Sequence, residues 1–167
     1  CGLSISRKIF SFIFKVIGPL IRSDKVIKKN LKIFNNDITQ KEIDKIKSDM
    51  WKNYGMTFVE YVFLNKFSKE ENHIKIIGGD ILNKIIKINK PVIFISGHFA
   101  NFELMSMELT KNNISLATIY RPLNNLFLNP FMEYLRKNYI CKNQIKKGLT
   151  GVKETIDFIN KGFSIAL

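Results

Sequence analysis

The chain has 167 residues, 46% of them hydrophobic, enough for one domain with a real core but not plainly for two. Its two cysteines, Cys1 and Cys141, offer neither a metal-ligand spacing nor a disulfide framework, which argues against zinc and fits a reducing compartment. The net charge of +13 comes from Lys spread along the chain, so it reads either as a solvated basic surface or as a match for an anionic partner. With no base-stacking motif or nucleic-acid module in view, anionic lipid and acidic protein rank above nucleic acid.

The chain opens at Cys1 rather than Met and stops at "GFSIAL", so it reads as a C-terminally truncated piece of a longer protein. Cys1-Gly2 also allows the acylated end of a mature lipoprotein. In "SRKIFSFIFKVIGPLIRSDK" the non-apolar positions Ser11, Lys15, Gly18 and Arg22 recur at helical spacing, a narrow polar stripe on an otherwise apolar helix. Lys15 and Gly18-Pro19 interrupt it too early for a bilayer span. Two readings stay open: a helix in the membrane interface, with Phe10, Ile13, Phe14, Ile17, Leu20 and Ile21 on its apolar face, or a buried packing helix. "SDKVIKKNLKIF" adds basic residues beside it, and residues 1–34 are set apart as an amphipathic, basic, membrane-associating region.

Thr39 and Glu42 have capping-box spacing, and the apolar positions from Ile43 to Val62 keep a helical period behind them. From residue 74 the pattern alternates. "IKII" predicts a strand, "GDILNKIIKINK" a helix, "PVIFIS" a buried strand, "NFELMSMELTKN" a helix and "ISLATIY" a strand. "NPFMEYLRKNY" and "TGVKETIDFINKG" predict helices and "FSIAL" a strand. Apolar strands alternating with helices predict an α/β fold over residues 35–167, a mainly parallel sheet flanked by helices.

Ligands gather at the carboxyl ends of such strands. His98 follows "PVIFIS" and Arg121 follows "ISLATIY", so parallel strands bring both to one edge. An imidazole exchanges protons near neutral pH, better when a carboxylate holds its other nitrogen. Glu103, at the head of the next helix, is the carboxylate in reach. The spacing alone is weak. Rival chemistries lack their motifs: Ser96 has no G-x-S-x-G elbow, His73 lies in a polar loop, and there is no P-loop or G-x-G-x-x-G.

"SGHFANFE" followed by "ATIYRPLNN" resembles the bacterial lipid A biosynthesis acyltransferases, the lauroyl/myristoyl family within the wider glycerolipid-acyltransferase-like superfamily with its H-x-x-x-x-[DE] hallmark. His98 and Glu103 match the hallmark, and Tyr120-Arg121-Pro122 with Asn124-Asn125 matches the second motif. The resemblance implies transfer of a fatty acyl chain from an acyl carrier protein thioester, or from acyl-coenzyme A, to a hydroxyl of a lipid A precursor. It implies no metal or resident cofactor. In it His98 is the general base and Glu103 its partner, while Asn101, Tyr120, Arg121 and Asn124 bind substrate. Lys142, Lys146 and Lys147 read as a contact for an acidic carrier protein or for lipid phosphate, or as a solvated basic loop. Partners would be the carrier protein, the lipid A precursor and anionic membrane lipid, at the cytoplasmic face of an inner membrane. A glycerophospholipid acyltransferase with the same dyad, and a non-catalytic basic membrane-binding domain, are the alternatives.

Overall fold

The computed structural model describes residues 2–167; the lipoprotein reading of Cys1 falls outside them. The chain divides into two compact units, Cys1–Phe63 and Leu64–Leu167.

The first unit is helical: α1 (Leu3–Ile21), α2 (Asp24–Phe34) and α3 (Gln40–Glu60), closed by a 3₁₀ turn over Tyr61–Phe63. The capping box forms as predicted, with the Thr39 hydroxyl accepting from the Glu42 N–H at 3.3 Å and the Glu42 carboxylate accepting from the Thr39 N–H at 2.8 Å. Those bonds to Thr39 hold the Glu42 carboxyl below its ordinary range. Helices α1 and α3 run antiparallel, because Arg7 pairs with Glu60, Phe10 and Phe14 stack on Phe58, and Gly18 lies against Trp51.

Glycine lets the two helices approach this closely. A Cβ on Gly18 would overlap the Trp51 ring, and one on Gly55 would run into the Phe10 carbonyl. This alters the reading of the stripe. Gly18 is buried and Ser11 half-buried in the seam with α3, as are Phe10 and Phe14, whereas Lys15 and Arg22 are exposed. The surface left outside is apolar: Ile5, Ile9, Phe12, Ile13, Val16, Ile17, Leu20 and Ile21 are all exposed, Phe12 by 67% and Leu20 by 84%. Gly18 and Gly55 make room in the seam for the Trp51 ring and the α1 backbone, Phe10 and Phe14 pack there on Phe58, and the remaining bulky side chains of α1 lie outside it. Among the described residues no helix is long and apolar enough to cross a membrane.

The second unit is α/β. Its order is α4 (Leu64–Lys69), α5 (Gly79–Ile88), β1 (Ile93–Phe94), α6 (Glu103–Lys111), β2 (Leu116–Tyr120), α7 (Leu128–Tyr139), β3 (Asn143–Lys146), α8 (Leu149–Asn160) and β4 (Ser164–Ala166). The four strands form one sheet in the order β1-β4-β2-β3, every neighbouring pair parallel. Ala117, Ile145 and Ile165 are almost completely buried at its centre, with Ile119 and Phe158 packed against them.

Three elements differ from the sequence expectation. Residues 74–77 form no strand; Ile77 is exposed, and Gly78 follows in a left-handed conformation that starts α5. Three isoleucines and a lysine without a neighbouring ladder cannot sustain a strand. In their place "NQIK" supplies β3, an edge strand whose polar side chains turn back to main chain: Asn143 donates to the Leu116 carbonyl at 3.0 Å and Gln144 to that of Cys141 at 2.9 Å. Strand β1 is not the buried strand that "PVIFIS" predicts: it lies at an edge of the sheet with Ile93 and Ile95 exposed and spans only two residues, yet its pairing with β4 runs on, since the Ser96 N–H donates to the Leu167 carbonyl at 3.1 Å. That extra rung carries the β1 backbone up to Ser96, at the foot of the loop that holds His98.

Candidate active site

All four strands point the same way, so the residues that follow them share one edge of the sheet. His98 follows β1, Arg121 follows β2, and Lys147 follows β3. Lys142 precedes β3, so the topology separates it from Lys146 and Lys147 and leaves it at the amino end.

His98 is exposed in the β1–α6 loop, its ring against that of Phe102 with centroids 4.3 Å apart. The loop is tightly turned. The Phe99 N–H donates to the Gly97 carbonyl at 2.9 Å, and Ala100 has a positive φ of 45°, a conformation that side-chain-bearing residues avoid. Gly97 fits because a Cβ there would strike the Phe99 ring. Helix α6 then begins at Glu103, two residues later than the pattern predicts, which places the carboxylate at the positive end of the helix.

Glu103 points inward. It is 7% exposed, and its Oε1 accepts from both Nε and Nη2 of Arg136, at 2.7 and 2.5 Å. The side chains of this pair are only 9% and 10% exposed, so the ion pair is withdrawn from water. The Arg136 guanidinium also lies over the Tyr120 ring, 5.4 Å from its centroid, a cation–π contact.

Tyr120 is buried at the end of β2, and its hydroxyl donates to Oε1 of Glu133 at 2.7 Å. Burial, and after it the Glu133 carboxylate, push the phenol well above its ordinary range. The Glu133 carboxyl is held low, chiefly by the Tyr120 hydroxyl and then by the Asn129 amide, which donates to the same oxygen at 2.9 Å. Lys146 Nζ stands 3.7 Å from it.

The structure therefore brings Glu103 and Tyr120 together through a residue the motifs do not contain. Arg121 and Asn124 lie exposed on the loop after β2, and Asn101 is buried just before α6, where its carbonyl accepts from the Leu104 N–H at 3.2 Å. Arg136 was legible in principle: with Met132 and Leu135 it sits on the apolar stripe of α7, where a solvated Arg has no place. Glu133 and Asn129 carry no such signal, since polar residues at those positions read as an outer helix face. Among the described residues no three His, Cys, Asp or Glu side chains gather as metal ligands.

The family profile described as bacterial lipid A biosynthesis acyltransferase matches residues 1–167, the whole chain. No curated protein sequence matches it.

Proposed function

The chain belongs to the bacterial lipid A biosynthesis acyltransferase family, and from that premise we propose that it moves a fatty acyl chain from an acyl carrier protein thioester to a hydroxyl of a lipid A precursor, with His98 as the general base. The observation that supports this reading is that His98 and Arg121 follow parallel strands of one sheet, β1 and β2 with β4 between them, so that both lie at the same edge, while Glu103 is fixed at the head of α6.

In the proposed reaction an imidazole nitrogen of His98 takes the proton of the acceptor hydroxyl as its oxygen attacks the thioester carbonyl. A tetrahedral intermediate forms, and the charge on its oxygen is met by the Arg121 guanidinium. Collapse breaks the carbon–sulfur bond, and the proton on His98 passes to the departing thiolate, so the products are the ester and the free thiol of the carrier. Glu103 orients the imidazole and balances its transient positive charge. Arg136, donating twice to one oxygen of that carboxylate, fixes the rotamer from which Glu103 acts. No oxidant or reductant is consumed.

The same reading places the protein at the cytoplasmic face of the inner membrane. The exposed apolar face of α1 supports it, together with Lys25, Lys28, Lys29 and Lys32 on α2 for acidic head groups. The test is acyl transfer by the full-length protein, with acyl carrier protein or coenzyme A as donor carrier, to three acceptors: lipid A precursor, lysophosphatidate and glycerol 3-phosphate. We expect turnover with the first alone, loss of it in His98→Ala, and a large drop in Arg121→Lys, which keeps the charge but not the planar fork. Turnover with the glycerol acceptors instead would reassign the substrate. Full activity in His98→Ala would remove the catalytic reading altogether.

A further inference from the structure

We propose that Glu133 and Asn129 are positioning residues for the Arg121 loop, and that Tyr120 links that loop to Glu103. The proposal rests on the role given to Arg121 above and adds how that side chain is held in place.

Residues 121–127 connect β2 to α7, and Arg121, Asn124, Leu126 and Phe127 are all exposed there. Burial does not fix such a loop; hydrogen bonds do. At its far end the Asn125 side chain accepts from the N–H groups of Phe127 and Leu128, each at 3.0 Å, and so caps α7. From the first turn of α7, Asn129 Oδ1 reaches back and accepts from the Leu123 N–H at 2.8 Å, in the middle of the loop.

That bond requires the Asn129 amide to face one way. Its Nδ2 donates to Glu133, and an ionised carboxylate can only accept, so the opposite flip would set oxygen against oxygen. Glu133 therefore decides which end of Asn129 meets Leu123. The same Glu133 oxygen holds the Tyr120 hydroxyl, and Tyr120 is the residue before Arg121. The face of the Tyr120 ring lies under Arg136, the cation that grips Glu103. A continuous line of contacts thus runs from Glu103 through Arg136, Tyr120, Glu133 and Asn129 to the backbone of the Arg121 loop. It sets one half of the site with respect to the other.

The experiment turns on a charge pattern. Asn129→Asp places two carboxylates face to face, while adding Glu133→Gln restores a donor against an acceptor in the reverse sense. In the full-length protein Asn129→Asp should lower kcat for acyl transfer about 10–100-fold with little change in melting temperature, and the double variant should recover most of it. In an Arg121→Ala background Asn129→Asp should add no more than about twofold, because both act through one group. Exchange of the Leu123 amide, read by NMR or mass spectrometry, should quicken in Asn129→Asp and slow again in the double variant. Tyr120→Phe, which deletes only the hydroxyl, should show the same pattern more weakly and carries the test if Asn129→Asp does not fold. An active wild type whose kcat is untouched by Asn129→Asp, or no recovery in the double variant, overturns the positioning role while leaving the proposed reaction intact. A wild type with no acyl transfer, whose Leu123 amide still responds to these substitutions, overturns the proposed reaction and leaves the brace only as a fold element.

Discussion

Replacing Arg136 with Met tests how firmly Glu103 depends on its partner. The guanidinium donates twice to one carboxylate oxygen, and both side chains are about nine-tenths removed from solvent. Met keeps the aliphatic bulk and deletes the charge, so a carboxylate stays behind where water cannot compensate it. Breaking a buried ion pair from one side costs about 3–5 kcal/mol, and the lost cation–π contact with Tyr120 adds roughly 0.5–1 kcal/mol. Against a total domain stability of about 5–15 kcal/mol this is roughly a quarter or more. In urea, at an m-value of about 2 kcal/mol per molar, the midpoint should fall by roughly 2 M with the slope unchanged. The decisive comparison is Glu103→Gln/Arg136→Met, which removes the buried carboxylate charge as well. That double variant should regain most of the stability and none of the acyl transfer. If Arg136→Met unfolds within about 1 kcal/mol of wild type, or the double variant is no more stable than the single, the pair is not the energetic anchor described above.

In acyl transfer, His98→Ala should abolish turnover and Glu103→Ala should leave a trace, with the double change little worse than His98→Ala alone; additive losses would argue against a dyad. On vesicles of anionic lipid the protein should co-sediment, and Phe12→Asp/Val16→Asp should release it with its helical content intact. Phe10→Asp/Phe14→Asp, aimed at the seam with α3, should instead disrupt the first unit, and a wild type that ignores vesicles would refute the lipid-facing reading of α1. Glu133 gives a pH signature. Its folded carboxyl sits below the ordinary value, so its contribution to stability is present above the unfolded pKa of about 4.3 and is lost as pH falls through the folded one. The stability gap between wild type and Glu133→Gln should therefore be full at pH 6 and shrink below about pH 4, and a gap independent of pH would contradict it.

The parts of this molecule that could be read directly were those where one residue type answers one local demand. Apolar strands alternating with helices gave the parallel sheet, Thr39 and Glu42 gave a helix start, and the motif residues fell at the sheet edge where the strands before His98 and Arg121 end. What escaped depended on partners distant in sequence. Strand β3 is polar because its side chains serve neighbouring carbonyls, so no hydrophobic alternation announces it. The same holds for Arg136, whose partner lies 33 residues earlier. The stripe on α1 misled for a related reason: its periodicity is real, but period alone does not say which face a second helix will cover. Gly18 groups with the polar residues by period, whereas sterically it makes room for the Trp51 ring.

That seam sets unequal rules for substitution on the two sides of α1. Against α3 the helix meets a solid of fixed shape, and at Gly18 even one added carbon collides with Trp51. On the other side the proposed neighbour is a fluid, which demands oiliness but has no contour to match. Exchanges among Ile, Leu, Val and Phe at positions 5, 9, 12, 16 and 20 should then pass unnoticed, while the far smaller change from Gly to Ala at position 18 should not. Related chains should drift freely in the identity of the outer residues and hardly at all in the size of the inner ones, the reverse of the usual expectation that bulky apolar positions are the constrained ones.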